Sequence, residues 1–332
     1  MRYLITGGSG YIGGRLAAIL AERDDTELVL NVDVRPPASG APRTEYVEAD
    51  VRDGERIRRL LNEREIDCLV HLAFLLNPIH DEARMYDIDV NGTQAVLKAA
   101  SEAGTEHVVV TSSAIAYGAW PDNPVPIAED WPVRGMPDFS YARDKAEADR
   151  VAQLWAAEHP DRVMTIVRPC IVFGPSVDNF ISHVWTKAPF GVLVDGADSE
   201  VQLVHEDDVV EALRSLIDAK ADGAFNVAGD GTLSYRESIE MAGQRVREMS
   251  LASAYRLYRV LWALRVPGVE APAGLVKTAR YPWIVSNEKL KAETGWQPAH
   301  TTRETFELTM RAKGKLHDVA ARSSVATLGA EG

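Results

Sequence analysis

The chain has 332 residues, 46% hydrophobic and 26% charged, enough for one large α/β domain or a large domain with a smaller one. Its 36 basic and 49 acidic residues give a net charge of −13, which argues against nucleic acid as a partner. No apolar run is long enough to span a bilayer, so no membrane partner is expected. Cys68 and Cys170 fall in strand-like runs without metal-ligand spacing, which predicts no metal site and a reduced, cytoplasmic protein.

Taken in order, Arg2-Tyr3-Leu4-Ile5-Thr6 reads as a buried strand that leads straight into a glycine turn rather than a leader peptide. Glycines stand at 7, 10 and 13, and Ile12, Leu16, Ile19 and Leu20 then mark a helix face. Strand, glycine turn and helix together form a dinucleotide-binding signal. Gly7 permits the turn, Gly10 lets backbone approach a pyrophosphate, and Gly13 lets the helix pack close. The N–H groups at the helix start face the phosphates. A second strand over 27–32 ends at Asp33, whose carboxylate suits an adenosine ribose and repels a 2′-phosphate. NAD is therefore expected over NADP, although the Arg35 guanidinium offers a place for such a phosphate.

A Pro/Gly-rich loop spans 36–42. Strands follow at 44–49, ending at Asp50, at 68–73 and at 107–113, with helices at 53–64 and 83–103 between them. The nearly all-apolar strands alternate with helices, which demands a parallel sheet covered on both faces. Residues 119–138 read as a long loop and 141–158 as a helix. A sixth strand runs over 163–167 into Arg168-Pro169, and 224–228 is strand-like. A helix starts near Tyr235, and 249–285 is aromatic and apolar with interspersed arginines. The expected fold class is α/β, a Rossmann-type doubly wound parallel sheet with a small, discontinuous α/β C-terminal substrate domain. Residues 1–171 form the NAD-binding domain, with 201–228 returning to it. Residues 172–200 and 229–315 form the substrate-binding portion, and 316–332 a flexible tail.

Ligands of such sheets sit at the carboxyl ends of the strands. Ser113 lies at one such end, and Tyr141 and Lys145 share a helix face four residues apart. A tyrosine ionises near pH 10, roughly three units too high for a base near neutrality. A lysine ammonium on its face and an oxidised nicotinamide beside it lower that value. Ser113 would donate a hydrogen bond to the substrate oxygen, while hydride passes between the nicotinamide and the carbon bearing that oxygen.

The chain resembles the extended short-chain dehydrogenase/reductases of the NAD-dependent epimerase/dehydratase family over nearly all of residues 1–315. The resemblance is carried by Thr6-Gly7-Gly8-Ser9-Gly10-Tyr11-Ile12-Gly13, Asp33, Asp50-Val51, His71-Leu72-Ala73 and Asn91-Gly92-Thr93. Ser112-Ser113 before Tyr117-Gly118, Tyr141 to Lys145, Arg168-Pro169, Val204-His205-Glu206-Asp207-Asp208-Val209 and Gly295-Trp296-Gln297-Pro298 extend it. It implies Tyr141 as catalytic acid/base, Lys145 as ribose binder and pKa modulator, and Ser113 as the group that orients the substrate oxygen. Asp50 and Val51 would border the adenine, and Ala73 would lie along the cofactor. Tyr11, Ile12 and Leu72 would stand beside it, and Pro169 would contact the nicotinamide. Asn91 would hold a helix near the site, His205, Asp207 and Asp208 would be structural, and Cys170 would be a packed thiol near the nicotinamide. The family also implies a homodimer built on the 83–103 and 141–158 helices.

Departures from the family's nucleotide-sugar enzymes bear on the reaction. Ala114 and Ile115 stand where sugar-nucleotide 4,6-dehydratases carry Asp-Glu, so that elimination is not expected. Ile171 replaces an Asn near the sugar phosphate and Val201 an Arg that reaches the diphosphate, with Arg280 as a possible substitute. Phe74, Leu75, Leu76, Trp120, Trp131, Trp185, Leu257, Trp262, Tyr281 and Trp283 are candidates for an apolar substrate wall. These features favour an oxidoreductase acting on a secondary alcohol or ketone of a non-nucleotide, partly apolar small molecule. The alternatives are a nucleotide-sugar 4-epimerase with tightly bound NAD and a non-catalytic NAD-sensing protein.

Overall fold

The computed structural model describes residues 1–38 and 40–317. Seven parallel strands form the central sheet. They are β1 (Arg2–Thr6), β2 (Leu28–Asp33), β3 (Thr44–Glu48), β4 (Cys68–His71), β5 (His107–Thr111), β6 (Val163–Pro169) and the edge strand Gly223–Val227. Their spatial order is β3-β2-β1-β4-β5-β6-edge, so the order reverses between β1 and β4, and a crevice opens there at the carboxyl ends. Helix α1 (Tyr11–Glu22) lays Leu16 and Leu20 on one face of the sheet, beside Val209 and Leu213 of the Glu206–Ala219 helix. The other face is covered by α2 (Gly54–Glu63), through Ile57, Leu60 and Leu61. Two further helices complete that cover, α4 (Gly92–Ala103) with Val96 and Ala100, and α5 (Ser140–Glu158) with Ala152 and Trp155. The expected doubly wound α/β fold is thus present.

The helix expected over 83–103 is not uniform. A short α3 (Glu82–Tyr86) passes through a π-helical turn, Asp87–Asn91, into α4. The turn itself contains no glycine or proline, so the apolar pattern does not mark it. The 119–138 loop carries no helix or strand and is pinned near its middle and across its ends. Ile127 pairs with Val285, and Trp120 Nε1 donates to Gly135 O at 2.9 Å.

Arg168 explains why a charged residue stands in β6. It is fully buried and forks onto Asp149 of α5 at 2.8 and 2.9 Å, and its third arm donates to Tyr117 Oη and Glu129 O. A planar guanidinium with every arm occupied locks β6, α5 and the Ser113–Tyr117 turn together.

Beyond β6 the chain leaves the sheet in short pairs. Ile171–Phe173 runs parallel to Leu203–His205, and Phe190–Val194 to Arg245–Met249. Glu200–Val201 is antiparallel to Leu233–Ser234. A helix Leu251–Ala263 and a 3-10 stretch Ala273–Ala279 complete this end. Of the tail expected from residue 316, the structure describes Leu316 and His317. Leu316 packs on the Phe306 cluster, and His317 N donates to Met241 O at 2.7 Å. The remainder of that expectation lies outside the described residues.

Candidate active site

One cavity of about 1100 Å3 occupies the crevice and continues under the C-terminal pieces. Its first wall is the glycine turn. Gly7 has φ +72°, and a Cβ there would lie 2.6 Å from Ala73 N, across the β1–β4 boundary. A Cβ on Gly13 would fall 2.2 Å from Gly7 O, so the helix approaches its own turn as closely as glycine allows. Gly10 caps α1 without a side chain and leaves the first-turn N–H groups of Tyr11 and Ile12 beside the cavity. Asp33 is oriented at the end of β2. Its carboxylate accepts from Ser9 N and Arg35 N, both at 3.1 Å. Asp33, Arg35, Asp50, Val51, Leu72 and Ala73 all line this part of the cavity, together with Gly7, Gly10, Tyr11 and Ile12. The Tyr11 side chain hydrogen-bonds Glu206, which also receives Arg15 at 2.6 Å, so the ring pins the glycine turn to the neighbouring helix.

Ser113, Tyr141, Lys145 and Pro169 line the next part. The turn that follows β5 places Ser113, whose Oγ accepts from Ile115 N at 3.3 Å. Tyr141 and Lys145 lie one turn apart on α5, both buried. Lys145 Nζ donates to Thr111 O at 2.8 Å and lies 3.6 Å from the centre of the Phe74 ring. Burial pushes the Tyr141 phenol up to about 12, and the Ser113 hydroxyl is the influence that opposes it. Burial also pulls Lys145 below the usual ammonium range, opposed by the neighbouring Asp89 and Asp149. Cys170 borders the cavity, and burial raises its thiol well above the ordinary range, as befits a packed group.

Sequence reading missed Asp89. It is fully buried in the π turn, accepts from Leu75 N at 2.7 Å through Oδ1, and leaves Oδ2 without a partner. Burial pushes its carboxyl well above the usual carboxylate range. Asn91, expected to hold a helix near the site, is exposed and donates to Asp87 one turn earlier at 2.9 Å. The extra residue of the π turn puts Asp89, not Asn91, on the inward face.

Past Ser113, Tyr141 and Lys145 the wall is largely apolar. Phe74, Leu75, Leu76, Trp185, Leu257 and Trp283 border it as expected. Trp120, Trp131, Trp262 and Tyr281 do not. Trp120 and Trp131 pair with Arg134, Trp262 stacks on His80, and Tyr281 lies beneath Arg280. Phe180, Ile181, Tyr235, Tyr258 and Val276 take their places, drawn from separate short elements. Ile115, Ile171 and Val201 border the cavity, whereas Arg280 is turned away onto Asp195 at 3.3 Å. The basic side chains of this end, His183 and Lys187, lie 2.7 and 3.5 Å from Asp178, and His183 also meets Glu270. His205 caps the Glu206–Ala219 helix, and Asp208 accepts from Ala299 N and His300 N, so both are structural.

Residues 3–228 match the model of the NAD dependent epimerase/dehydratase family. The chain belongs to that family. An uncharacterised protein of Mycobacterium tuberculosis is 27% identical over 94% of this chain and 84% of its own length. A UDP-glucose 4-epimerase of Lactobacillus helveticus is 28% identical over 90% of this chain and 93% of its own. Among solved structures, the dTDP-glucose 4,6-dehydratase of Bacillus anthracis with NAD superposes with a TM-score of 0.71 at 19% identity, covering 95% and 97% of the two chains. The UDP-glucose-4-epimerase of Stenotrophomonas maltophila with NAD does so with 0.68 at 21%, covering 98% and 99%. These superpositions establish that the epimerase/dehydratase fold extends through the C-terminal pieces.

Proposed function

We propose that the protein is an NAD-dependent oxidoreductase that transfers hydride at a secondary alcohol or ketone carbon of a non-nucleotide, largely apolar metabolite. The cofactor would lie from Asp33 and Asp50, past Gly7 to Ile12, Leu72 and Ala73, to Pro169. NAD is preferred over NADP because the Asp33 carboxylate faces the cavity from a rigid seat. Ser113 orients the substrate oxygen, Tyr141 exchanges a proton with it, and Lys145 holds the ribose. When bound, NAD supplies or accepts the hydride. A phenol that keeps its proton at neutrality is ready to donate it as the oxygen gains charge. Oxidation would need the Lys145 ammonium and the oxidised nicotinamide to draw that proton away. Residues 172–200 and 229–315 would hold the rest of the substrate.

The observation that carries the choice of substrate is the charge of that end. A diphosphate requires free donors and positive charge. Ile171 and Val201 line the wall, His183 and Lys187 are occupied by Asp178, and the carboxylates of Glu200 and Glu270 border the space. A nucleotide-sugar epimerase is the second reading, favoured by the 28% identity to a UDP-glucose 4-epimerase over most of both chains. Mass spectrometry of the small molecules released on denaturation, with NAD and NADP titrations, separates the two. The oxidoreductase reading expects reversible NAD binding and no sugar nucleotide. Co-purified NAD with a sugar nucleotide would overturn it, and tighter binding of NADP would overturn the role given to Asp33.

A further inference from the structure

The Leu251–Ala263 helix is covered on one side only. Ala254 is its one buried residue, and its inner side rests on Val276 and Ala279 through Leu251 and Tyr258. One flank of the helix exposes Leu257 (44%), Val260 (52%) and, just past the helix, Leu264 (70%). A soluble face of a helix normally carries polar residues at such positions. The charge there is equally distinct. Residues 249–269 contain Arg256, Arg259 and Arg265 and no acidic residue, in a chain whose net charge is −13. At 100° per residue, Arg259 and Arg256 flank Val260, Leu264 and Leu257 along one edge, so the exposed arc is apolar with a basic border. That is the pattern of a helix lying in a lipid interface rather than crossing it. The same surface is continuous with the cavity, because Leu257 and the half-exposed Phe190 both belong to its wall.

We infer that the exposed face of the Leu251–Ala263 helix docks on an anionic lipid surface, and that the apolar substrate enters the cavity from that surface past Leu257 and Phe190. The lipid contact stands on the helix alone; the entry route rests on the apolar-substrate reading above. Arginines bordering the face would meet anionic headgroups while Val260 and Leu264 enter the acyl boundary. The helix is 13 residues long, and no described helix is long and apolar enough to cross a membrane, so the contact is peripheral.

Flotation of the full chain with vesicles tests this, using phosphatidylcholine alone and phosphatidylcholine mixed with phosphatidylglycerol. The protein should float with the mixed vesicles at low salt, stay behind with the neutral ones, and dissociate as salt rises. Arg256→Gln and Arg259→Gln should each weaken binding roughly five-fold. Val260→Ser with Leu264→Ser should abolish it and leave the melting temperature and NAD binding unchanged, since both side chains are exposed. Failure to float with anionic vesicles, or flotation that survives the serine pair, overturns the inference. So does light scattering that shows a dimer dissociated by the serine pair, because a second copy would then cover this face. Vesicle binding requires no turnover, so a failed search for substrates leaves this result intact, and the reverse also holds.

Discussion

Tyr141 is the residue on which the proposed chemistry turns. Its phenol is buried on the wall of the same cavity as Ser113 and Lys145, and it is held as a proton donor by that burial. Tyr141→Phe removes one oxygen from a packed ring and leaves the glycine turn untouched. It should lower kcat by roughly 10²–10⁴-fold with NAD binding intact, read by steady-state rates and a cofactor titration. Full activity in that variant would contradict the mechanism. The polar members of this site were legible because their chemistry restricts where they occur: glycine at a left-handed φ, a carboxylate closing a strand, and a tyrosine and lysine four apart. Asp89 was not, because whether an acid inside a helical stretch turns inward depends on one extra residue in a turn that the apolar pattern does not record.

Elements around the site are joined by neutral histidines. Thr93 Oγ1 donates its proton to Asp89 O at 2.6 Å, so His71 Nε2 must donate to Thr93 and Nδ1 must accept from Thr6. This neutral ring ties β1, β4 and α4 directly behind the glycine turn. Burial lowers His71 to about 3, and His107, between β5 and β6, to about 4. Unfolded chains take up those protons near pH 6.5 while the folded protein refuses them. Stability is therefore fully present above that pH and is lost as pH falls toward 4 and 3. Each histidine should add a slope that rises toward about 1.4 kcal/mol per pH unit as pH falls below 6.5, read from urea unfolding between pH 4.5 and 6.5. His107→Gln should remove one such increment, and an unchanged slope in that variant would contradict the assignment. The sheet strands and covering helices were readable from apolar alternation. The ends of β4 and β5 were placed two residues too late, because Leu72-Ala73 and Ser112-Ser113 continue the apolar or small-residue pattern after the ladder has opened into the crevice.

At the scale of the molecule, a charged, glycine-rich cofactor half meets an apolar half assembled from pieces far apart in sequence. The first half is local in the chain, which is why its fold and residues could be read directly. The second is not. Phe180, Tyr235, Tyr258 and Val276 have the same character as core residues, and only their convergence on a space makes them a wall. For the same reason Trp120, Trp131, Trp262 and Tyr281 belonged to packing rather than to the cavity. The most direct test of the central claim is NADH absorbance during turnover, with apolar secondary alcohols and ketones offered beside UDP-glucose. The account predicts net formation or consumption of NADH with an apolar compound and none with UDP-glucose. Conversion of UDP-glucose to its 4-epimer with no net change in NADH would contradict it.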